Sequence, residues 1–267
     1  MPKARTNDEM WADFLAGHIE GLEGVKRTFR RIPSAPRCKL CQAPFAGVGG
    51  KVMRFTPFRR WQANSTLCNI CTGSLGEVVG GAEVEATFLF ADIRGSTGVA
   101  EHLRPVEFNA ILQRFYIVCA RAVDANGGLV DKYLGDGVVA FFVPVFTGDG
   151  GPAASAIRAG QAILDGLRKA PSSTPWLPVG IGVHTGLAYV GVLGNEGGHL
   201  DFTGVGDAVN TAARLGSVAE AGELLVSLET ATLAGLDTAG LEARRLSLKG
   251  REEPVDVVVL GSLTAAA

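Results

Sequence analysis

Two apolar runs flanking Leu134-Gly135-Asp136-Gly137 constrain the fold of this 267-residue chain more than any other feature. Leu129 to Phe142 reads as two strands joined across that turn, since glycine enters turn conformations without steric cost while the flanks carry Val, Tyr and Phe. Val84 to Phe90 reads as an earlier apolar strand, and Pro105 to Asn126 as an amphipathic helix ended by Gly127-Gly128. A second helix is predicted from Pro152 to Lys169, after which Val179 to Val192 returns as strands. The order strand, helix, hairpin, helix, strand suits a ferredoxin-like α/β sandwich within the α+β class. In such a sheet the first strand neighbours the hairpin. Asp92, at the end of that strand, and Asp136, in the turn, can then lie on adjacent strands and share divalent cations.

Other chemistry-bearing residues collect around these two. Gly95, Ser96 and Thr97 follow Asp92 at a strand-to-helix turn, where free backbone N–H groups can hold phosphate oxygens, and Ser96 or Thr97 can cap the helix. Asn210 and Arg214 are four residues apart on a helix that Asp207 is placed to cap, so they share a face. Arginine there can neutralise charge on a transferring phosphoryl group.

From Glu83 to Leu260, these motifs resemble the catalytic domain of class III nucleotide cyclases. They are Phe90-Ala91-Asp92-Ile93-Arg94-Gly95-Ser96-Thr97, Lys132-Tyr133-Leu134-Gly135-Asp136-Gly137 and Gly206-Asp207-Ala208-Val209-Asn210-Thr211-Ala212-Ala213-Arg214. The resemblance implies that Asp92, Ile93 and Asp136 bind two Mg²⁺ or Mn²⁺, that Asn210 orients the ribose, and that Arg214 stabilises charge on the α-phosphate and leaving pyrophosphate. It implies that Lys132 selects the purine. An ammonium only donates and adenine N1 accepts, whereas guanine N1 carries a hydrogen, so Lys132 favours ATP; guanylate-type sequences carry Glu there. Thr203 stands where many adenylate cyclases carry Asp, as in the class IIIb bacterial subgroup, and its hydroxyl can accept or donate. Lys249, in the Lys-Gly turn before the strand Val255 to Leu260, is the phosphate-binding candidate, with Arg251 second. His184 reads as a core residue. The resemblance also implies a homodimer with sites at the interface, the metal aspartates from one protomer and Lys132, Thr203, Asn210 and Arg214 from the other. The expected activity is conversion of ATP to cyclic AMP and pyrophosphate. The alternatives are a guanylate cyclase, and a non-catalytic regulatory or nucleic-acid-binding protein.

The first 80 residues read as a separate module, with the catalytic domain at 81–267. Trp11, Leu15, His18, Leu22, Val25 and Phe29 recur at helical spacing on one stripe, capped by Asn7 or Asp8, weakened by Gly17, Gly21 and Gly24, and stopped at Pro33. Such a helix serves either dimerisation or packing on its own chain. Cys38-Lys39-Leu40-Cys41 and Cys68-Asn69-Ile70-Cys71 form two tight turns suited to one structural Zn²⁺, with an iron centre or a redox dithiol as the alternatives. The residues between them are expected to fold as a hairpin around Gly47, Gly49 and Gly50, and Leu75 to Ala82 as a linker. Cys119 reads as a core thiol.

Residues 1–71 carry twelve Lys/Arg against five Asp/Glu, leaving a net −9 for the rest of a chain whose total is −2. Such asymmetry suits either two docked domains or an anionic partner. Arg54-Phe55-Thr56-Pro57-Phe58-Arg59-Arg60-Trp61 interleaves aromatics and arginines, which is read as an ordinary module surface in preference to a nucleic-acid footprint. A hydrophobic content of 47% supports a sizeable core. With no run near the ~18–20 apolar residues of a membrane span, a polar N-terminus and cysteines in metal-type pairs, the expectation is a cytoplasmic protein without a membrane partner.

Overall fold

The computed structural model describes residues 6–19, 22–32, 34–73, 75, 79–168, 177–195 and 199–261. Gly21, Pro33 and Lys169, which figure above as helix breakers and a helix end, lie outside them, as does part of the Leu75 to Ala82 linker. The chain divides into two compact units, Met1–Val84 with Pro144–Phe146 and Tyr189–Gly204, and Glu85–Val143 with Thr147–Ala188 and Val205–Ala267.

The first unit opens with helices α1 (Asn7–Leu15) and α2 (Leu22–Arg30). Thr6, not Asn7 or Asp8, caps α1: its hydroxyl accepts from the Glu9 amide at 3.3 Å while the Glu9 carboxylate accepts from the Thr6 amide at 2.8 Å. The stripe expected from Trp11 to Phe29 is broken because Gly17 turns left-handed, at φ +89°, beyond the end of α1. Trp11, Phe14 and Leu15 are buried within their own chain. Where a hairpin is expected around Gly47, Gly49 and Gly50, the chain forms helix α3 (Gly47–Met53). These glycines serve close approach as much as turning: a Cβ at Gly50 would lie 2.4 Å from the Phe45 carbonyl carbon.

The remaining elements are β1 (Gly80–Ile93), α4 (Ser96–His102), α5 (Pro105–Ala125), β2 (Leu129–Leu134), β3 (Gly137–Phe142), α6 (Pro144–Thr147), α7 (Gly151–Arg168), β4 (Val179–Gly194), β5 (Leu200–Val205), α8 (Asp207–Val218), β6 (Leu224–Ser227), α9 (Leu228–Leu233), β7 (Glu242–Leu246) and β8 (Val255–Leu260). The strand order is β2-β3-β1-β4-β6-β8-β7, with β5 also paired to β4. Its first four members reproduce the ferredoxin-like arrangement expected from the sequence. Both β1–β3 and β2–β3 are antiparallel. Residues of β6 and β8 alternate between two cores, as period-two side chains must. Leu224, Val226, Val258 and Leu260 join Phe115 and Cys119 of α5 and Ile163 and Leu167 of α7, while Leu225, Val257 and Val259 meet Leu215 of α8. Cys119 is fully buried, and burial raises its thiol pKa, as befits a core residue. No helix among the described residues is long and apolar enough to cross a membrane.

A buried polar chain ties the middle of this sheet together. The Thr87 and Thr185 hydroxyls lie 2.8 Å apart, the Thr185 amide donates to Thr230 Oγ1 at 2.7 Å, and Thr230 meets Ser227 Oγ at 2.8 Å. Ser227 Oγ in turn lies 2.9 Å from His184 Nδ1. Burial, reinforced by the Arg251 guanidinium and opposed by Asp207, lowers the His184 pKa from 6.5 to about 4. The unfolded chain therefore takes up this proton near pH 6.5 and the folded chain only near pH 4, so this stability is complete above the first value and lost as pH falls toward the second. The displacement corresponds to about 3 kcal/mol. Thermal unfolding from pH 7 to 4.5 should show wild type losing more stability than His184→Asn; parallel curves would mean that the imidazole charges freely in the fold.

Candidate active site

The register of β1 on β3 builds the centre of the site. Asp92 pairs with Gly137, the residue after Asp136, and the Ile93 amide donates to the Asp136 carbonyl at 3.0 Å. Tyr116 on α5 steadies the turn by donating its hydroxyl to the Gly135 carbonyl, its ring 4.5 Å from that of Tyr133. Burial raises the Asp92 pKa, Arg94 opposes that shift, and the Asp136 charge adds to it. Two hard carboxylates set this way, the charge of Asp136 raising the proton affinity of Asp92, suit a divalent cation, whose charge would relieve that effect. Ile93, whose side chain is buried, could contribute only its backbone carbonyl.

Two neighbours at this centre go beyond the sequence reading. The Arg94 guanidinium donates to Asp92 Oδ1 and, at 2.6 Å, to the Ser217 carbonyl at the end of α8. Ser96 Oγ donates to Asp136 Oδ2 and so reaches the second carboxylate instead of capping a helix. The cap of α4 is Gly95, left-handed at φ +67°, and a Cβ there would meet nothing within 4 Å. Backbone conformation, not crowding, is what calls for glycine at that turn, which leads into α4 with Ser96 buried and Thr97 exposed.

A second grouping forms on α8. Asn210 is exposed and Arg214 half-buried, one turn apart as expected. The helix starts behind Gly206 without a side-chain cap. Asp207, expected to cap it, is its first residue and accepts from Arg251. Arg251 also donates to Thr211 Oγ1, so the second phosphate candidate is engaged in holding the β7–β8 turn to α8. That turn carries exposed Lys249 and Gly250, and a Cβ on Gly250 would lie 3.3 Å from Arg214 Nη2. Nη1 of Arg214 is buried without a hydrogen-bond partner among the described residues. The helix is pressed onto β4, where a Cβ on Gly182 would lie 2.1 Å from the Gly216 amide nitrogen.

Lys132 lies on β2 opposite Val139, just past a bulge, with its ammonium 4.0 Å from Asp131 Oδ1. Thr203 is buried on β5 in the other unit. Its neighbour Phe202 lies between Trp11 and Trp61, ring centroids 5.9 and 5.8 Å away.

The four module cysteines come together as their spacing implies. Their sulfurs all lie within 4.8 Å of one another, with Cys38–Cys71 at 3.8 Å and Cys41–Cys68 at 3.6 Å. A tetrahedron of sulfurs about 2.3 Å from one ion has edges of about 3.8 Å, so the cluster fits a closed four-thiolate metal site. Hydrogen bonding among the sulfurs, from Cys41 first, lowers the Cys38 thiol pKa, while the contact with Cys38 raises those of Cys41 and Cys71, so the buried sulfurs share their protons unequally.

Comparison with known proteins agrees with this geometry. The family described as "Adenylate and Guanylate cyclase catalytic domain" matches residues 81–261. An adenylate cyclase of Anabaena cylindrica is 32% identical over 169 residues, which is 59% of this chain and 32% of the relative. An uncharacterised protein of Mycobacterium tuberculosis is 32% identical over 191 residues, covering 68% of this chain and 34% of its own. The chain thus spans about a third of the length of these curated relatives. Among solved structures, adenylyl cyclase CyaB from P. aeruginosa superposes with a TM-score of 0.60 at 30% identity, covering 71% of this chain and all of that one (100%). Guanylyl cyclase Cya2 gives a TM-score of 0.60 at 28% identity, covering 67% and 93%. With the sheet order, the paired aspartates and the helix of Asn210 and Arg214 in place, the chain belongs to the adenylate and guanylate cyclase catalytic domain family.

Proposed function

We propose that the chain is an adenylate cyclase, converting ATP to 3′,5′-cyclic AMP and pyrophosphate. The observation that carries this reading is the aspartate pair set side by side by the β1–β3 register, with Asp136 adding to the upward shift of Asp92. In the reaction the ribose 3′-oxygen attacks the α-phosphorus in line, the bond from that phosphorus to the β-phosphate oxygen breaks, and the hydroxyl proton is released. Asp92, Asp136 and the Ile93 carbonyl would hold two Mg²⁺ or Mn²⁺, which when bound lower the pKa of the 3′-hydroxyl and neutralise the triphosphate. The turn at Gly95, Ser96 and Thr97 offers amides to phosphate oxygens, and Lys249 adds a cation. Asn210 orients the ribose, and Arg214, with its unengaged buried nitrogen, donates to charge growing at the α-phosphate and pyrophosphate. Catalysis of this kind is mostly positioning and charge neutralisation.

Base choice rests on Lys132, whose donor-only ammonium suits adenine N1, with Thr203 as a weaker partner to the purine. The likeness to both an adenylyl and a guanylyl cyclase makes guanylate cyclase the second reading. In the proposed homodimer, the aspartate centre of one protomer completes its site with Lys132, Thr203, Asn210 and Arg214 of the other. The Cys38, Cys41, Cys68 and Cys71 cluster holds one structural Zn²⁺ per chain, and residues 1–80 are a module attached to a catalytic domain at 81–267. Free thiols and this metal site suit the reducing cytoplasm.

Asp92→Ala and Asp136→Ala should each abolish turnover of ATP with Mg²⁺ or Mn²⁺ while leaving the circular dichroism spectrum unchanged; near-wild-type rates in either would remove the carboxylates from the chemistry. Mixing Asp92→Ala with Arg214→Ala chains should restore activity, because each exchanged dimer holds one intact site. No recovery after verified exchange would argue for sites within single chains.

Lys132→Glu should depress ATP use far more than GTP use, because a carboxylate accepts from guanine N1–H and repels adenine N1. Thr203→Ala should cost only about 0.5–1.5 kcal/mol, the worth of one neutral hydrogen bond. An ATP/GTP ratio unchanged by Lys132→Glu would take that residue out of the purine pocket.

Metal analysis of the purified chain should find about one zinc per chain, as a closed tetrahedral site requires, lost on replacing either cysteine pair with serine. A metal-free chain whose first 80 residues still resist protease would exclude the zinc.

A further inference from the structure

Between Glu23 and Glu77 the chain carries Lys26, Arg27, Arg30, Arg31, Arg37, Lys39, Lys51, Arg54, Arg59 and Arg60 and not one Asp or Glu. The cyclase chemistry uses none of these residues. Within this stretch the most exposed apolar side chains fall in a row. Val48 is 81% exposed, Val52 56% and Phe55 83%, at intervals of four and three residues. That spacing puts Val48 and Val52 on one side of α3, and the Phe55 amide, bonded to the Val52 carbonyl at 3.1 Å, carries the same stripe one step beyond its end. Lys51, Arg54, Arg59 and Arg60 are exposed around it, and none makes an ion pair among the described residues. The Arg54 guanidinium sits 5.1 Å from the Phe55 ring centroid.

We infer that this face is a docking surface for an anionic lipid bilayer. Its charge has one sign and complements acidic headgroups. Its tip is apolar, so that insertion removes from water the three side chains that the fold leaves out. Cation and aromatic ring together at the edge of the stripe suit the headgroup layer, where an apolar body and a charged end are both accommodated. A nucleic acid would use the cations and could stack on Phe55, but it offers nothing to two exposed valines, which is why lipid is the better fit. The contact is peripheral and separate from membrane crossing, which no described helix can do.

The test is co-sedimentation of the full chain with phosphatidylcholine vesicles, with and without phosphatidylglycerol as one third of the lipid. Binding should require the anionic lipid and weaken as salt shortens the reach of surface charge. Val48→Ser/Val52→Ser/Phe55→Ser and, separately, Lys51→Gln/Arg54→Gln should each reduce it about tenfold or more, as expected when one or two surface cations or a comparable apolar contact are lost. All five side chains are exposed, so both variants should keep the wild-type circular dichroism spectrum; if one does not, the other decides. Absence of anionic-vesicle binding, or equal binding by wild type and the folded variants, would overturn the proposal. So would an oligonucleotide that displaces the chain from vesicles and binds the triple-serine variant as tightly as wild type, which would assign the surface to nucleic acid.

Discussion

The antiparallel pairing of β1 with β3 is the constraint on which the candidate site depends. Six consecutive pairs, from Thr87 with Phe142 to Asp92 with Gly137, set the register. Side chains alternate between faces, so a slip of one residue would turn Phe88 and Leu89 over and carry Asp92 away from Asp136. The register is held by burial: every residue of β3 is buried, and Phe142 closes over Gly128, where an added Cβ would lie 2.4 Å from its ring. Hydrophobic packing at one end of the pair thereby fixes two charges at the other. The Asp136 charge raises the proton affinity of Asp92, and the register holds the two residues side by side all the same.

Where the sequence was legible and where it was not follows from the range of the interactions. The hairpin on either side of Gly135-Asp136, the helix from Pro105 and the strand Val255–Leu260 are written in local periodicity and turn chemistry, and the fold has them at those places. The order of the first four strands could be inferred because a ferredoxin-like core leaves few alternatives, while the β6-β8-β7 extension was not read. The split of the first helix at Gly17 needed a backbone angle, and α3 needed the close approach of Gly50 to Phe45, neither of which a composition pattern carries. At the site, the paired aspartates and the Asn210–Arg214 face were readable as motifs. The partners of Arg94, Ser96 and Arg251 were not, because each reaches a residue distant in sequence: Ser217, Asp136 and Thr211.

Charge is partitioned along the chain in a way that serves two kinds of chemistry. The cyclase motifs hold carboxylates close together, while the cysteine module contains a stretch with cations alone. Four thiolates closed around one metal ion would supply negative charge inside that basic module, and the short sulfur–sulfur distances show the cluster arranged for it. A small basic fold with little apolar mass has reason to be organised around such a centre.

The contact of Phe202 with the Trp11 and Trp61 rings, tilted to one and edge-on to the other, has a consequence for how the molecule can be observed. The chain has three tryptophans, and two of them touch the residue that precedes Thr203. Indole emission depends on the polarity and packing around the ring. Any displacement of β5 that accompanies nucleotide binding would therefore alter the intrinsic fluorescence of the protein. The strand carries its own optical reporter, readable without a label and without waiting for product to form.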